Sequence, residues 1–207
     1  MKIAVIGTGN MGTALAREIA GADHELIIGA RNVDKATSLA KKIGPQVEAG
    51  GISAAIKAAD LIVMALPYEA NLAALKGVDA SGKILVDVSN PITADFRDLA
   101  VGHTTSAAEE LQARAPGARV VKAFNTIFSD LLLREARNGT SLQVFLASDD
   151  AKAKRAVESL VRAMDFEPVD AGPLRNSRFL EPMGEMNIHF GFFLGWGTVA
   201  APIWQRV

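Results

Sequence analysis

The residues Gly7-Thr8-Gly9-Asn10-Met11-Gly12 follow the short apolar run Met1–Ile6 and lead at once into a helical pattern. G-x-G-x-x-G between a strand and a helix is a cradle for a dinucleotide. Gly7 permits the tight turn, Gly9 leaves the backbone open to a pyrophosphate, and Gly12 lets the helix pack close to the strand. The N–H groups of the helix start then face the phosphates, where the helix dipole also favours negative charge. All six residues, Gly7, Thr8, Gly9, Asn10, Met11 and Gly12, are therefore assigned to cofactor binding.

A second set of residues reads the ribose. The next strand, His24–Gly29, runs into Gly29-Ala30-Arg31-Asn32-Val33-Asp34-Lys35. A free ribose 2′-hydroxyl calls for Asp or Glu at this strand end. None stands there, and Arg31 occupies the place of a 2′-phosphate ligand. Lys35 lies four residues on, so both cations can share one helical face. Arg31, Asn32 and Lys35 thus predict NADP(H). Charge-assisted hydrogen bonds contribute about 1.5–3 kcal/mol, or one to two decades of preference.

A third set closes the slot for the reacting ring. Ala65-Leu66-Pro67-Tyr68, Ser89-Asn90-Pro91 and Ala123-Phe124-Asn125-Thr126-Ile127 each end an apolar strand and carry few charges. Proline stiffens its own backbone and the residue before it. Ala65, Leu66, Pro67, Asn90, Pro91 and Ala123 are assigned to the nicotinamide side. Asn125, Thr126 and Ile127 are assigned to the substrate side.

What is missing narrows the reaction. The one tyrosine, Tyr68, has Leu72 four residues later, so no Tyr-x-x-x-Lys pair is present. His24, His103 and His189 lack zinc-ligand spacing, and no metal site is assigned. No residue is assigned as a catalytic acid or base. Hydride transfer between two flat redox rings fits this pattern, because it needs positioning more than proton transfer.

The elements that must hold these residues alternate along the chain. Strand-like runs occur at Gln46–Ala49, Asp60–Leu66, Lys83–Val88, Arg119–Phe124, Leu142–Ala147 and Glu167–Asp170. Helical stretches occur at Val33–Ile43, Ile52–Ala58, Thr105–Ala115 and Ala151–Met164, with a final helix from about Asn176 to Phe190. Apolar strands with intervening helices predict the α/β class, a Rossmann-like, doubly wound and mostly parallel sheet in a single domain, residues 1–207. Residues 172–207 are expected to form a C-terminal helix and tail that completes the acceptor site. Gly195, Trp196 and Gly197 belong to that tail, since glycines there would let a flat ring approach the backbone.

The bulk numbers agree. Net charge −1 gives no support for nucleic-acid binding, and the absence of cysteine removes disulfides and thiolate chemistry. The apolar run Phe190–Trp204 is short for a membrane span and is interrupted by glycine and proline. A cytoplasmic protein without a targeting segment is expected.

Taken together, the glycine loop, Gly29-x-Arg31, Lys122-Ala123-Phe124-Asn125-Thr126-Ile127 and Asp170-Ala171-Gly172-Pro173-Leu174-Arg175-Asn176-Ser177-Arg178 resemble the NADP oxidoreductases dependent on the deazaflavin coenzyme F-420. The cytosolic domains of six-transmembrane metalloreductases resemble the same pattern. The resemblance implies NADP(H) at Thr8, Arg31 and Lys35. It implies a deazaflavin or flavin ring near Asn125 and Gly195-Trp196-Gly197 as hydride partner, and a homodimer. Archaeal members carry His where Asn125 stands; the metalloreductase-like members carry Asn. Many members carry a hydroxyl residue where Ala30 stands. The alternative reading is an NADP(H)-sensing module without turnover that contacts a partner protein through its tail.

Overall fold

The first strand, β1 (Lys2–Ile6), sends alternate side chains into two separate cores. Ile3 and Val5 join one, Ala4 and Ile6 the other. That period of two, with both faces apolar, is what a strand covered by helices on each side requires. A computed structural model describes every residue except Asp23 and Arg206, and in it β1 lies at the centre of a six-stranded parallel sheet. The strands beside it are β2 (Glu25–Ala30), β3 (Glu48–Gly51), β4 (Leu61–Met64), β5 (Ile84–Asp87) and β6 (Arg119–Lys122). Their order is β3-β2-β1-β4-β5-β6. The chain winds outward from β1 to β3, then crosses back to β4. The switch point between β1 and β4 opens a crevice at their carboxyl ends, where such sheets bind ligands.

Helices α1 (Asn10–Gly21), α2 (Val33–Ile43) and α6 (Ala151–Ala163) cover one face through Leu15, Ile19, Leu39, Val157 and Leu160. Helices α3 (Ile52–Ala58) and α5 (Ala107–Arg114) cover the other through Ile56, Ala108 and Leu111. Their starts are set by side-chain caps. Asn32 accepts from the Lys35 N–H, Ser106 from the Glu109 N–H, and Asp150 from the Lys152 and Ala153 N–H groups. Two further strands, β7 (Gln143–Leu146) and β8 (Glu167–Asp170), pair parallel with each other. An antiparallel bridge from Lys122 to Ala147 attaches them to the end of β6. The doubly wound, mostly parallel fold expected from the sequence is the one observed.

The differences lie where the chain reaches the crevice. The expected strands Asp60–Leu66, Lys83–Val88 and Arg119–Phe124 end in the sheet at Met64, Asp87 and Lys122. Their last residues leave the ladder and turn toward the site. Phe124 makes such a turn with φ 62°, a left-handed conformation unusual for a bulky residue. Its buried ring holds it there, edge-on to Phe166 at 6.0 Å between centroids. Pro67 both stops the strand and precedes a short helix, α4 (Tyr68–Ala74), which the sequence pattern did not mark. The final helix, α7 (Ser177–Ile188), ends earlier than expected and passes into one wide helical turn, His189–Phe193. Among the described residues, no helix is long and apolar enough to cross a membrane.

Candidate active site

The glycine loop has the geometry its sequence requires. A Cβ on Gly7 (φ 121°) would collide with the Ala65 carbonyl oxygen, and one on Gly12 with the Gly7 carbonyl oxygen. At Gly9 nothing lies within 4 Å of such a Cβ. Two glycines are therefore used by the fold, and the third leaves open space at the amino end of α1.

Two clefts flank this loop. The first, about 420 Å³, lies between α1 and α2. It brings together Thr8, Asn32 and Lys35, and adds Thr13, Arg17 and Lys42. Arg31 is exposed beside it and does not line it.

The second cleft, about 530 Å³, opens beyond the carboxyl ends of β1, β4, β5 and β6. Gly9, Asn10 and Met11 form one wall, Ala65, Leu66 and Pro67 the next, and Val88, Ser89 and Asn90 a third. Asn125, Thr126 and Ile127 continue into Phe128 and Ser129. Helix α7 and the turn after it close the cleft with Gly184, Asn187, Ile188 and Phe192, and Phe96 stands at its edge. None of the lining residues is an acid, lysine, arginine, histidine or tyrosine. Gly7 and Gly12 act through the loop backbone, Ala123 is fully buried in the core, and Pro91 lies outside the lining set. Gly195, Trp196 and Gly197 also lie outside it; the Trp196 indole stacks on Phe190 at 4.5 Å instead.

Polar contacts across the cleft wall are specific. Asn125 donates from Nδ2 to Asn90 Oδ1 (2.9 Å) and to the Leu180 carbonyl (2.8 Å). Asn90 donates back from its own Nδ2 to the Asn125 carbonyl (2.8 Å). Asn125 Oδ1 is buried and has no hydrogen-bond partner among the described residues. Asn187 donates to the Thr126 and Ala200 carbonyls, both at 3.2 Å, tying α7 to the β6 loop and to the tail. A Cβ on Gly184 would stand 2.6 Å from Asn90 Nδ2 and 2.8 Å from the Asn125 carbonyl oxygen, so the contact of α7 with this pair depends on glycine.

Behind the wall sits a buried charge cluster. Lys122 Nζ reaches Asp87 Oδ2 and Glu181 Oε1, both at 2.8 Å, and donates to the Ser89 carbonyl at 2.5 Å. Burial alone would lower the Lys122 ammonium, but the two carboxylates hold it above its ordinary value. Burial pushes the Glu181 carboxyl up against the opposing pull of Lys122. On α7, burial also pushes Glu185 up against the pull of His189, whose Nε2 lies 3.2 Å away. Arg178 grips Glu109 on α5 through two hydrogen bonds, 2.8 and 2.6 Å. The segment from Asp170 to Arg178 thus builds the turn into α7 and docks that helix.

Sequence reasoning expected the C-terminal helix at the acceptor side but put Gly195, Trp196 and Gly197 there, and missed Gly184, Asn187, Ile188 and Phe192. A glycine between Met183 and Glu185 in an apolar helix is a signal of close backbone approach, and Gly184 bears that out. Phe96 and Phe128 had no local signal, since their loops carry no periodicity.

Comparison with known proteins agrees with this geometry. The family described as NADP oxidoreductase, coenzyme F420-dependent, matches residues 2–91. The F420-dependent NADP reductase of Methanocaldococcus jannaschii is 31% identical over 198 residues, covering 87% of this chain and 88% of that protein. Metalloreductase STEAP3 of Rattus norvegicus is 32% identical over 182 residues, covering 87% of this chain, which spans only 36% of that protein's length. A crystal structure from Arthrobacter sp. FB24 superposes with TM-score 0.88 at 29% identity, covering 99% of this chain and 100% of that one. The chain belongs to the family of F420-dependent NADP oxidoreductases.

Proposed function

We propose that the protein transfers hydride between NADP(H) and a planar redox ring, a deazaflavin such as coenzyme F420 or a flavin. The observation that carries this reading is the cleft beyond the glycine loop, which has no titratable side chain in its lining. A reaction needing a protein acid or base would leave one there. Hydride transfer between two rings needs only that they be held face to face, about 3–3.5 Å apart, with water excluded.

The residues present fit such a pair. Open space at Gly9 and the N–H groups at the start of α1 suit the pyrophosphate. Thr8, Asn32 and Lys35, with Arg31 beside them, suit the 2′-phosphate. Ala65, Leu66, Pro67 and Asn90, with Pro91 and Ala123 behind them, would wall the nicotinamide. Asn125, Thr126 and Ile127 would position the acceptor, and the buried Asn125 Oδ1 offers an acceptor to a ring N–H. When bound, the two cofactors supply the redox chemistry. The chain supplies stiff walls, an apolar lining from Phe128, Ile188 and Phe192, and orientation. Residues 172–207 complete the acceptor side through α7, and Gly195, Trp196 and Gly197 would reach the ring only if the tail closes over it.

The same reading carries a homodimer in a cytoplasmic setting. Exposed apolar side chains at Phe192, Leu194, Trp196, Val199, Ile203 and Trp204 make a patch of the kind that marks a partner surface. Light scattering checks it: a dimer that becomes a monomer on Trp196→Ser and Trp204→Ser supports it, and a monomer from the outset removes it.

The direct test of function is stopped-flow mixing of NADPH-loaded protein with coenzyme F420, riboflavin, FMN, FAD and a ferric chelate. The result expected is rapid NADPH oxidation by one of the ring acceptors. Oxidation by the chelate alone, or by none of them, overturns the reading.

A further inference from the structure

The groove between α1 and α2 is longer than the contacts assigned to the 2′-phosphate need. Thr8, Asn32 and Lys35 stand at its cofactor end. Arg17 and Lys42 line its far part, with the hydroxyls of Thr13 and Ser38 between. Arg17 is seven residues into α1, and Lys42 is seven residues beyond Lys35, about 10 Å along each axis. Both helices start at the carboxyl end of the sheet. Side chains on a helix lean toward its N-terminus, so both long cations lean back toward the cofactor end.

The charge balance in the groove is unequal. Arg17, Lys35 and Lys42 face it with one carboxylate, Asp34. None of the three cations makes an ion pair among the described residues. Lys42 stands in the last turn of α2, where the helix dipole accounts for a cation. Arg17 lies before the last turn of α1, which has no basic residue, so the dipole does not account for it.

We infer that Arg17 is a specificity-determining residue for 2′-phosphorylated adenine nucleotides, reaching along the α1–α2 groove to the phosphate held at Thr8, Asn32 and Lys35. The inference rests on the reading of the protein as NADP(H)-dependent. A guanidinium can present two donors to one phosphate, which an ammonium at the same place cannot. Lys42 adds to the field without a directed bond.

The experiment is calorimetric titration of the full chain and of Arg17→Ala and Arg17→Lys with NADPH, NADH, adenosine 2′,5′-bisphosphate and adenosine 5′-phosphate. Arg17→Ala is expected to weaken NADPH and the bisphosphate roughly tenfold, as one charge-assisted hydrogen bond would. NADH and the monophosphate are expected to change less than about twofold, within the uncertainty of one surface charge. Arg17→Lys should restore part of the loss, and the salt dependence of NADPH binding should flatten in Arg17→Ala. An unchanged ratio of NADPH to NADH affinity in Arg17→Ala overturns the inference, as does an equal loss for all four ligands. A wild-type chain with no preference for NADPH overturns the functional reading itself, so the two failures are distinct.

Discussion

Lys122 and Glu181 meet at 2.8 Å with side chains 0% and 1% exposed, joining the last residue of β6 to the second turn of α7. Asp87 lies equally close to the same ammonium, so one cation serves two carboxylates. Glu181 also accepts the N–H groups of Ala107 (3.0 Å) and Ala108 (3.3 Å) at the start of α5. The positive end of that helix supplies the remaining compensation. The cluster fixes α7 across the strand ends, and one turn further on Gly184 lies against Asn90 and Asn125. Cofactor slot and C-terminal helix are in this way parts of one structure.

Lys122→Met should destabilise the protein by about 3–5 kcal/mol, because it leaves two carboxylates buried without their cation. Glu181→Gln keeps a hydrogen-bonding group of the same shape and should cost about 1–3 kcal/mol. Denaturant melts of the two variants check the order; a Lys122→Met as stable as the parent would contradict it.

Gly184→Ala should separate binding from turnover. The added methyl meets the Asn90 amide and the Asn125 backbone, and overpacking of this kind costs about 1–3 kcal/mol. NADPH affinity at the glycine loop is expected to hold while the rate of acceptor reduction falls. Rates and affinities measured on the same preparation decide it.

The reach of the sequence follows from which interactions are local. The glycine loop could be read because strand, turn and helix adjoin in sequence, and Gly12 answers to Gly7 five residues away; the Ala65 carbonyl that Gly7 faces lies 58 residues off and had no local signal. Asn32 was assigned to the cofactor; it lines the α1–α2 groove and also caps α2 through the Lys35 N–H. Lys122 in the buried run Arg119–Lys122 required a partner, but nothing local named Glu181, which lies 59 residues away across a helix, a loop and two strands. The aromatic wall of the cleft escaped for the same reason. Phe96, Phe128 and Phe192 come from three segments that meet only in the fold. Trp196 drew attention by its glycine neighbours, and the structure stacks it on Phe190 away from the cleft lining.

Arg31→Glu should weaken NADPH binding by one to two decades, about 1.5–3 kcal/mol, and leave NADH nearly unchanged. Fluorescence titration with both reduced cofactors checks this. Equal losses for the two would place Arg31 outside 2′-phosphate recognition.

Stability should fall in acid through Glu109. The hydrogen bonds from Arg178 lower its carboxyl below the ordinary 4.5, with Ser106 adding to the effect. A carboxyl lowered in the folded state binds fewer protons there than in the unfolded chain, so its contribution is full above the unfolded value. That contribution is lost as pH falls from about 4.5 through the lowered folded value. Glu109→Gln should remove this part of the slope. Melting curves from neutral to acid pH on both proteins test it, and identical slopes would contradict it.

The proposed reaction is direct hydride transfer to a ring held beneath α7. Single-turnover reduction of coenzyme F420 by NADPH deuterated at the transferring carbon tests it most directly. A slowed rate with one face of label, and deuterium recovered on the deazaflavin ring carbon, are the expected result. Unlabelled product and an unchanged rate with both faces of label would contradict it.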